Sequence, residues 1–117
     1  MTEILKLKEQ KPTLFWRERL AMGDDNFTEL VLDQTDILLD NCVGDLANLP
    51  DSATENEKVE IIKNAILKLN ILDTKHEFIF ELESEELVVF FNELASQAGI
   101  DLKNFEDEDV TLEWREF

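Results

Sequence analysis

The chain has 117 residues, 44% of them hydrophobic, and a formal net charge of −17 at pH 7. This length predicts a single domain, residues 1–117, and the apolar content excludes a disordered chain because it is enough to form one core. The charge disfavours nucleic acids and anionic membranes as partners, since a strong negative field repels both. It favours a basic protein or peptide instead.

The N-terminal residues lack the apolar run of a signal peptide, and no segment approaches the roughly 18 apolar residues of a membrane span. The single cysteine, Cys42, cannot form an internal disulfide, so nothing indicates an oxidising compartment. We therefore expect a cytoplasmic protein.

The first predicted element is a short helix over residues 13–22. Pro12 suits the start of a helix, and Gly23 suits the left-handed residue just past its end. Trp16 and Leu20 lie one turn apart within it. A helix is therefore favoured over a strand here.

A longer helix is predicted over residues 26–48, with capping oxygens supplied by residues 24–26. Its apolar residues fall on one stripe at helical spacing: Val31, Leu38, Cys42, Leu46 and Leu49. An alternative makes residues 27–32 a strand and begins the helix at Thr35. The stripe runs through both halves, which favours one helix.

Two further helices are predicted over residues 55–72 and 84–98. Thr54 and Glu57 form a capping-box pattern before the first of them, and Ser84 is the expected cap of the second. Gly99 is expected to end the second. The intervening residues 78–82 are short and apolar, and they fit either an extended crossover or a small strand.

A last short helix is predicted after Asp109, with Val110, Trp114 and Phe117 on one face. The fold class is therefore all-α, a single-domain bundle of four to five helices with one short extended segment near residues 78–82. We expect the following side chains to be buried: Leu38, Cys42, Ile62, Ile66, Phe90, Phe91 and Leu94.

The sequence contains no phosphate-binding loop, nucleophile elbow or dinucleotide fingerprint. A nucleophilic pair of Cys42 and His76, the only histidine, is conceivable, but Cys42 lies on the apolar stripe, where an inert buried thiol is usual. One His and one Cys do not make a zinc site, and the acidic runs lack the pattern of a calcium loop. We expect no enzyme activity, no cofactor and no metal.

The acidic residues are unevenly distributed. Residues 77–117 carry thirteen carboxylates and two basic side chains, a charge of −11, whereas residues 1–76 carry −6. Carboxylates stabilise helix N-termini, which accounts for Glu85, Glu86 and Asp109 but less well for Glu81, Glu106 and Asp107. The predicted partner-binding residues are Glu81, Glu83, Glu85, Glu86, Glu106, Asp107, Glu108, Asp109 and Trp114, the last as an aromatic anchor if its ring is partly exposed.

Three stretches carry a resemblance to other proteins: FWRERLAMGDD at 15–25, FELESEEL at 80–87 and DVTLEWREF at 109–117. Together they resemble a group of small acidic, mostly helical bacterial proteins of unassigned function, which are similar in size and charge to toxin-immunity proteins. That group usually has an Arg within the middle stretch and often ends in Trp, whereas this chain has neither feature. The resemblance implies a fold, with no cofactor and no catalytic residue.

These observations favour a non-enzymatic binding protein, an immunity or antitoxin-like inhibitor of a basic partner. The alternative is a structural or scaffold protein that forms a homodimer through apolar helix surface, since Val88 and Val89 widen the stripe of the helix at 84–98. Whether the chain is a monomer or a homodimer stays open at this point.

Overall fold

The computed structural model describes the backbone of residues 2–117 and the side chains of residues 4–117. These residues form an all-α bundle without a strand, as predicted. The α-helices, α1 to α5 in chain order, are Thr2–Leu5, Thr13–Ala21, Glu29–Ala47, Glu55–His76 and Glu81–Gln97. Short 3-10 helices span Lys6–Gln10, Leu102–Asn104 and Glu106–Glu108.

The helix predicted over residues 13–22 is confirmed as α2. Pro12 precedes it, and Gly23 follows its end with φ +101°. The amide of Asp24 donates to the carbonyl of Arg19 at 2.9 Å, the bond that closes a Schellman-type end. The N-terminal α1 and the 3-10 turn after it were not predicted, because buried Ile4 and Leu7 are too few to give a periodic signal.

The long second helix is confirmed as α3, but it begins at Glu29 and not at residue 26. The side chain of Thr28, and not residues 24–26, caps it by accepting from the amide of Val31 at 3.2 Å. The strand alternative is wrong. The prediction that Leu38 is buried is also wrong. Leu38 is half-buried and its neighbour Leu39 is fully buried, because α3 packs against α4, α1 and α2.

The predicted start of the third helix, at residue 55, is confirmed in α4. The helix extends four residues further than predicted, to His76. Thr54 caps α4 by accepting from the amide of Glu57 at 3.2 Å. The carboxylate of Glu57 accepts from the Thr54 hydroxyl at 3.3 Å, so only half of the predicted capping box forms. Glu77 ends the helix in the left-handed region, with φ 50°.

Residues 77–80 form the crossover between α4 and α5, with neither helix nor strand. The extended segment predicted near residues 78–82 is shorter than expected, because Glu81 and Leu82 belong to α5. The carboxylate of Asp73 accepts from the amides of Phe78 at 3.0 Å and Ile79 at 2.8 Å. The side-chain amide of Asn26 donates to the carbonyl of Phe78 at 2.9 Å. Side chains therefore satisfy backbone groups that would otherwise need a neighbouring strand.

The fourth predicted helix is α5, and it begins at Glu81 and not at residue 84. Ser84 is not its cap, because the carboxylate of Glu83 accepts from the amide of Phe80 at 3.1 Å and fixes the helix start three residues earlier. Its end is confirmed at Gly99, with φ +86°. The buried Ile100 donates its amide to the carbonyl of Ala95 at 3.0 Å, as in a Schellman motif.

The predicted last helix is wrong: residues 110–114 form turns and no α-helix. The side chain of Asn92 accepts from the amide of Val110 at 2.8 Å. The side chain of Asn70 donates to the carbonyl of Trp114 at 2.8 Å and accepts from the amide of Glu116 at 2.9 Å. Bonds from α4 and α5 therefore hold this segment in place of intrahelical bonds.

The buried side chains form one hydrophobic cluster to which every α-helix from α2 to α5 contributes. Trp16 of α2 is fully buried in this cluster. Its ring is stacked on the ring of Phe27 at a centroid distance of 5.4 Å and lies edge-on to the ring of Phe78 at 6.1 Å. Ile62, Ile66, Phe90, Phe91, Leu94 and Cys42 are buried as predicted. Among the residues described, none of the helices combines the length and apolarity needed to cross a bilayer.

Candidate protein-binding surface

Two of the predicted partner-binding carboxylates face inward, toward α2. Arg19 forms a two-pronged contact with the carboxylate of Glu86, at 2.8 Å for each oxygen, and reaches Glu83 at 3.3 Å. The indole nitrogen of Trp16 also donates to Glu86, at 3.0 Å. Glu83 is only 6% exposed. The hydrogen bonds from Arg19 to Glu86 raise the pKa of the arginine, so Glu83 and Glu86 join α5 to α2 and are not free for a partner.

A second internal network joins α2 to the polar face of α3. Asp36 accepts from the Thr13 hydroxyl and lies 2.6 Å from Arg17 and 3.2 Å from Lys11. Burial alone would raise the pKa of Asp36, but the hydrogen bonds from Thr13, Arg17 and Lys11 outweigh it and hold the pKa below its ordinary value. Asp36 is therefore a structural carboxylate.

Asp109 is a third internal carboxylate among the predicted partner residues. One of its oxygens accepts from the amide of Thr111 at 2.9 Å and from the Thr111 hydroxyl at 2.7 Å. The same oxygen accepts from the side-chain amide of Asn92 at 3.1 Å, and Arg115 lies 3.8 Å from the other. Asp109 thus holds the start of the C-terminal turn.

The other predicted carboxylates are exposed but lie in two separate places. Glu81 and Glu85 lie on the outer face of α5, whereas Glu106–Glu108 form an exposed 3-10 turn beyond its end. Within residues 4–117, no basic side chain forms an ion pair with any of them. Their charges therefore act on the surrounding solvent and on approaching ions or proteins.

Trp114 is half-buried against the core, and the ammonium of Lys63 lies 5.8 Å from its ring centroid. The ring thus already has a cation over it. Trp114 does not line the grooves beside α5. It is partly exposed, as an anchor must be, but the structure does not bring it together with Glu81 and Glu85.

The outer face of α5 carries large apolar side chains, of which sequence reasoning named only Val89, as part of the homodimer alternative. Val89 is 70% exposed, and Leu82, seven residues earlier on the same face, is 51% exposed. Phe15 of α2 and Phe80 of the crossover are also exposed by more than half. We call the following residues the α5 surface: Phe15, Phe80, Glu81, Leu82, Glu85, Val89 and Glu93.

Two grooves run along the α5 surface, one on each side of a ridge formed by Glu85 and Val89, which line both. The larger, of about 820 Å³, lies between α5 and the C-terminal residues 115–117. The smaller, of about 520 Å³, lies between α5 and the N-terminal part of the chain, including Leu7, Pro12 and Phe15. Exposed apolar area, concave shape and carboxylates thus coincide here.

The structure does not assemble the conceivable Cys42–His76 pair. Cys42 is buried and lines the same cavity as Ile61 and Ala65 of α4. His76 lies eleven residues beyond Ala65, about 16 Å along the helix axis at 1.5 Å per residue. Burial and the nearby Asp45 raise the pKa of the Cys42 thiol to about 12, which keeps it protonated and unreactive. Among the described residues, no group of three His, Cys, Asp or Glu side chains is arranged to hold a metal ion.

No family model, curated protein or solved structure matches this chain in the three comparisons made. The resemblance to small acidic bacterial proteins therefore stays a prediction. The α5 surface has to be interpreted from its own geometry and charge.

Sequence reasoning named Val89 but missed Leu82 on the same face, for a definable reason. The stripe from Leu87 to Ala98 correctly predicts the buried face of α5, but it assigns Leu82 to the preceding segment. Once the helix begins at Glu81, Leu82 and Val89 fall on one outward face. The seven-residue spacing of these two side chains is the signal that would have identified the α5 surface.

Proposed function

We propose that this chain is a non-enzymatic, cytoplasmic binding protein whose acidic surface engages a basic protein or peptide. One observation carries the proposal: the α5 surface combines exposed apolar side chains with carboxylates that no basic group of the described chain neutralises. Exposed apolar area with a charged rim is typical of a protein-interaction site.

The two kinds of residue have different tasks in this proposal. Glu81, Glu85 and the turn Glu106–Glu108 attract a positively charged partner from a distance and raise the association rate. Apolar contacts with Leu82 and Val89 then slow dissociation, because they are removed from water in the complex.

The most concrete form of the proposal is an immunity or antitoxin-like inhibitor. Such a protein would cover the positive active-site surface of a nuclease-type toxin, and its carboxylates would take the place of nucleic-acid phosphates. The net charge of −17 supports this form, because such inhibitors oppose a basic surface.

A homodimer through the apolar surface of α5 is the second candidate, and the 70% exposure of Val89 favours it. However, a two-fold contact centred on Val89 brings Glu85 of one copy close to Glu85 of the other if the helices are parallel, or close to Glu93 if they are antiparallel. Like charges in such a contact oppose association. Sedimentation of the purified protein at low and high salt would show a dimer that strengthens with salt if this candidate is right.

The test of the main proposal is capture of a partner from a native lysate, followed by association kinetics at low and high salt. The expected partner is basic, and its association rate falls as salt rises. The double variant Glu106→Gln, Asp107→Asn should associate more slowly and with a weaker salt dependence, while dissociation changes little. A matched control is Glu60→Gln, which removes an exposed charge from α4.

An acidic partner, or an association rate that is independent of salt, would show that the acidic surface serves only to keep the chain in solution.

A further inference from the structure

We infer that the α5 surface recognises an amphipathic basic helix, which lies along α5 with its apolar side chains in the two grooves. This inference rests on the proposed function and adds to it the shape and chemistry of the segment that the partner presents. The ridge of Glu85 and Val89 is a row at i, i+4 spacing with a groove on each side. Such a ridge between grooves is the surface against which helices pack.

The dimensions of the surface also fit a helix. The grooves are lined by α5 residues from Glu81 to Glu93, and thirteen helical residues span about 20 Å at 1.5 Å per residue. A partner helix of three to four turns covers that length. A peptide that binds by adding a strand would need a sheet edge for its backbone hydrogen bonds, and residues 2–117 contain no strand.

The charges around the grooves determine which helix fits. The larger groove is lined by the exposed Glu81, Glu85 and Glu116, and by Asp73, whose carboxylate already accepts from two crossover amides. Among the described residues that line it, Arg115 is the one cation, and it already donates to the carbonyl of Phe117 at 2.8 Å. Lys and Arg side chains that flank an apolar stripe would reach these carboxylates, whereas acidic flanks would be repelled.

The apolar contacts that such a helix would make are present on both sides of the ridge. Phe80 and Phe117 line the larger groove, and Phe15 and Leu82 line the smaller one. The ring of Phe15 is more than half exposed although its neighbour Trp16 is fully buried. A leucine stripe at i, i+3, i+4 and i+7 spacing would remove these side chains from water together.

A second copy of the chain is a poorer occupant of the same grooves. Its own α5 presents Leu82 and Val89 among Glu81, Glu85 and Glu93, so apolar contact between copies would bring carboxylates together on both flanks. The larger groove would then contain carboxylates from both copies. Charge complementarity therefore selects a basic helix from another protein.

The test uses two synthetic 16-residue peptides of identical Leu and Lys composition. One has Leu on a single helical face, and the other has the same residues distributed around the helix. Binding is measured by fluorescence anisotropy of labelled peptide, and the site by backbone amide NMR shifts of the intact protein. The amphipathic peptide should bind at least about tenfold more tightly, with the largest shifts in residues 81–93.

Variants of the protein show which side chains contribute to binding of the amphipathic peptide. Val89→Gln should lower the affinity for the amphipathic peptide about tenfold. Leu82→Gln, a second and independent variant, should lower it by a similar factor. The matched control is Ile71→Gln, at an α4 side chain that is 71% exposed but outside the grooves, and it should change affinity less than twofold. Thermal unfolding of each variant should match the parent, because all three side chains are exposed.

Three outcomes would overturn the inference: equal affinity for both peptides, equal weakening by Ile71→Gln and Val89→Gln, or NMR shifts centred on Glu106–Glu108. Each would show that apolar contacts in the two grooves do not determine the binding. They leave the proposed function standing, because that proposal fails only if the captured partner is acidic or associates independently of salt.

Discussion

Carboxylates serve opposite purposes at the two faces of α5. On the inner face, Glu83 and Glu86 contact Arg19, and Glu86 also accepts from Trp16, so their charges are neutralised within the fold. On the outer face, Glu81 and Glu85 have no basic partner within the described chain and flank exposed apolar side chains. The four residues lie within six positions of one another, so the helical turn alone separates a structural carboxylate from an available one.

The same contrast explains how a chain with so much negative charge remains compact. All three arginines contact carboxylates: Arg17 and Arg19 join α2 to α3 and to α5, and Arg115 lies beside Asp109. Arginine suits this task because its planar group binds two oxygens at once. The arginines are therefore placed where they join the helices of the fold, and the carboxylates on the outer face of α5 are left without a basic partner among the described residues.

The largest expected loss of stability comes from replacing Arg19, whose cation neutralises the carboxylates on the inner face of α5. Arg19→Met keeps much of the apolar stem but leaves the buried Glu83 and the partly buried Glu86 without a counterion. It should lower the free energy of unfolding by about 3 kcal/mol. Urea denaturation at pH 7 measures this change in the free energy of unfolding. Glu85→Gln, one residue from Glu86 but on the outer face, is the matched control. A loss below about 1 kcal/mol in Arg19→Met would mean that the inner contacts contribute little.

Asp36 tests the second internal network and its dependence on pH. Asp36→Asn should lower the free energy of unfolding by about 2 kcal/mol at pH 7, because the interactions with Arg17 and Lys11 lose their charge. The pKa of Asp36 is lower in the folded state than in the unfolded state, so its contribution is complete above about pH 4 and is lost as pH falls through the folded pKa.

Denaturation at pH 7 and at successively lower pH checks this prediction. The difference between Asp36→Asn and the parent should shrink as the pH falls below about 4. A difference that stays constant over this range would show that the ionised form of Asp36 is not what stabilises the fold.

A smaller effect is expected at Asp109, where neutral donors provide most of the contacts. Asp109→Ala removes the acceptor for the amide and hydroxyl of Thr111 and should cost about 1 kcal/mol. Hydrogen exchange should be faster at Val110 and Thr111, since the C-terminal turn loses its anchor. Unchanged exchange at both amides would contradict the assigned role.

The smallest effect on stability is expected on the outer face. The double variant Glu85→Gln, Glu93→Gln should change the free energy of unfolding by less than about 0.5 kcal/mol, because neither side chain forms an ion pair in the described structure. At low salt the change should be a slight gain, since self-repulsion falls. A loss above about 1 kcal/mol would place these carboxylates with the structural ones and remove the contrast between the two faces.

Local patterns predicted much of this fold. The caps at Thr54 and Gly99, the Pro12 and Gly23 boundaries of α2, and the buried stripe of α5 depend on neighbours a few residues apart, so the sequence displays them directly. The start of α5 was misplaced because Glu83 caps it through a carboxylate, a task for which Ser84 was the more usual residue type. The prediction of a last helix was wrong because Asn70 and Asn92, which are distant in sequence, supply the hydrogen bonds that hold the C-terminal segment.

The sequence by itself determined the helical class, the sign of the charge and its concentration in residues 77–117. It did not determine which carboxylates are available, because that depends on where Arg17, Arg19 and Arg115 meet them across the bundle. Arg19 lies 64 and 67 positions from its two partners, a separation that no local pattern records. Only the tertiary structure therefore divided one acidic stretch into structural contacts and an exposed surface, since long-range packing and not composition decides which charges are paired.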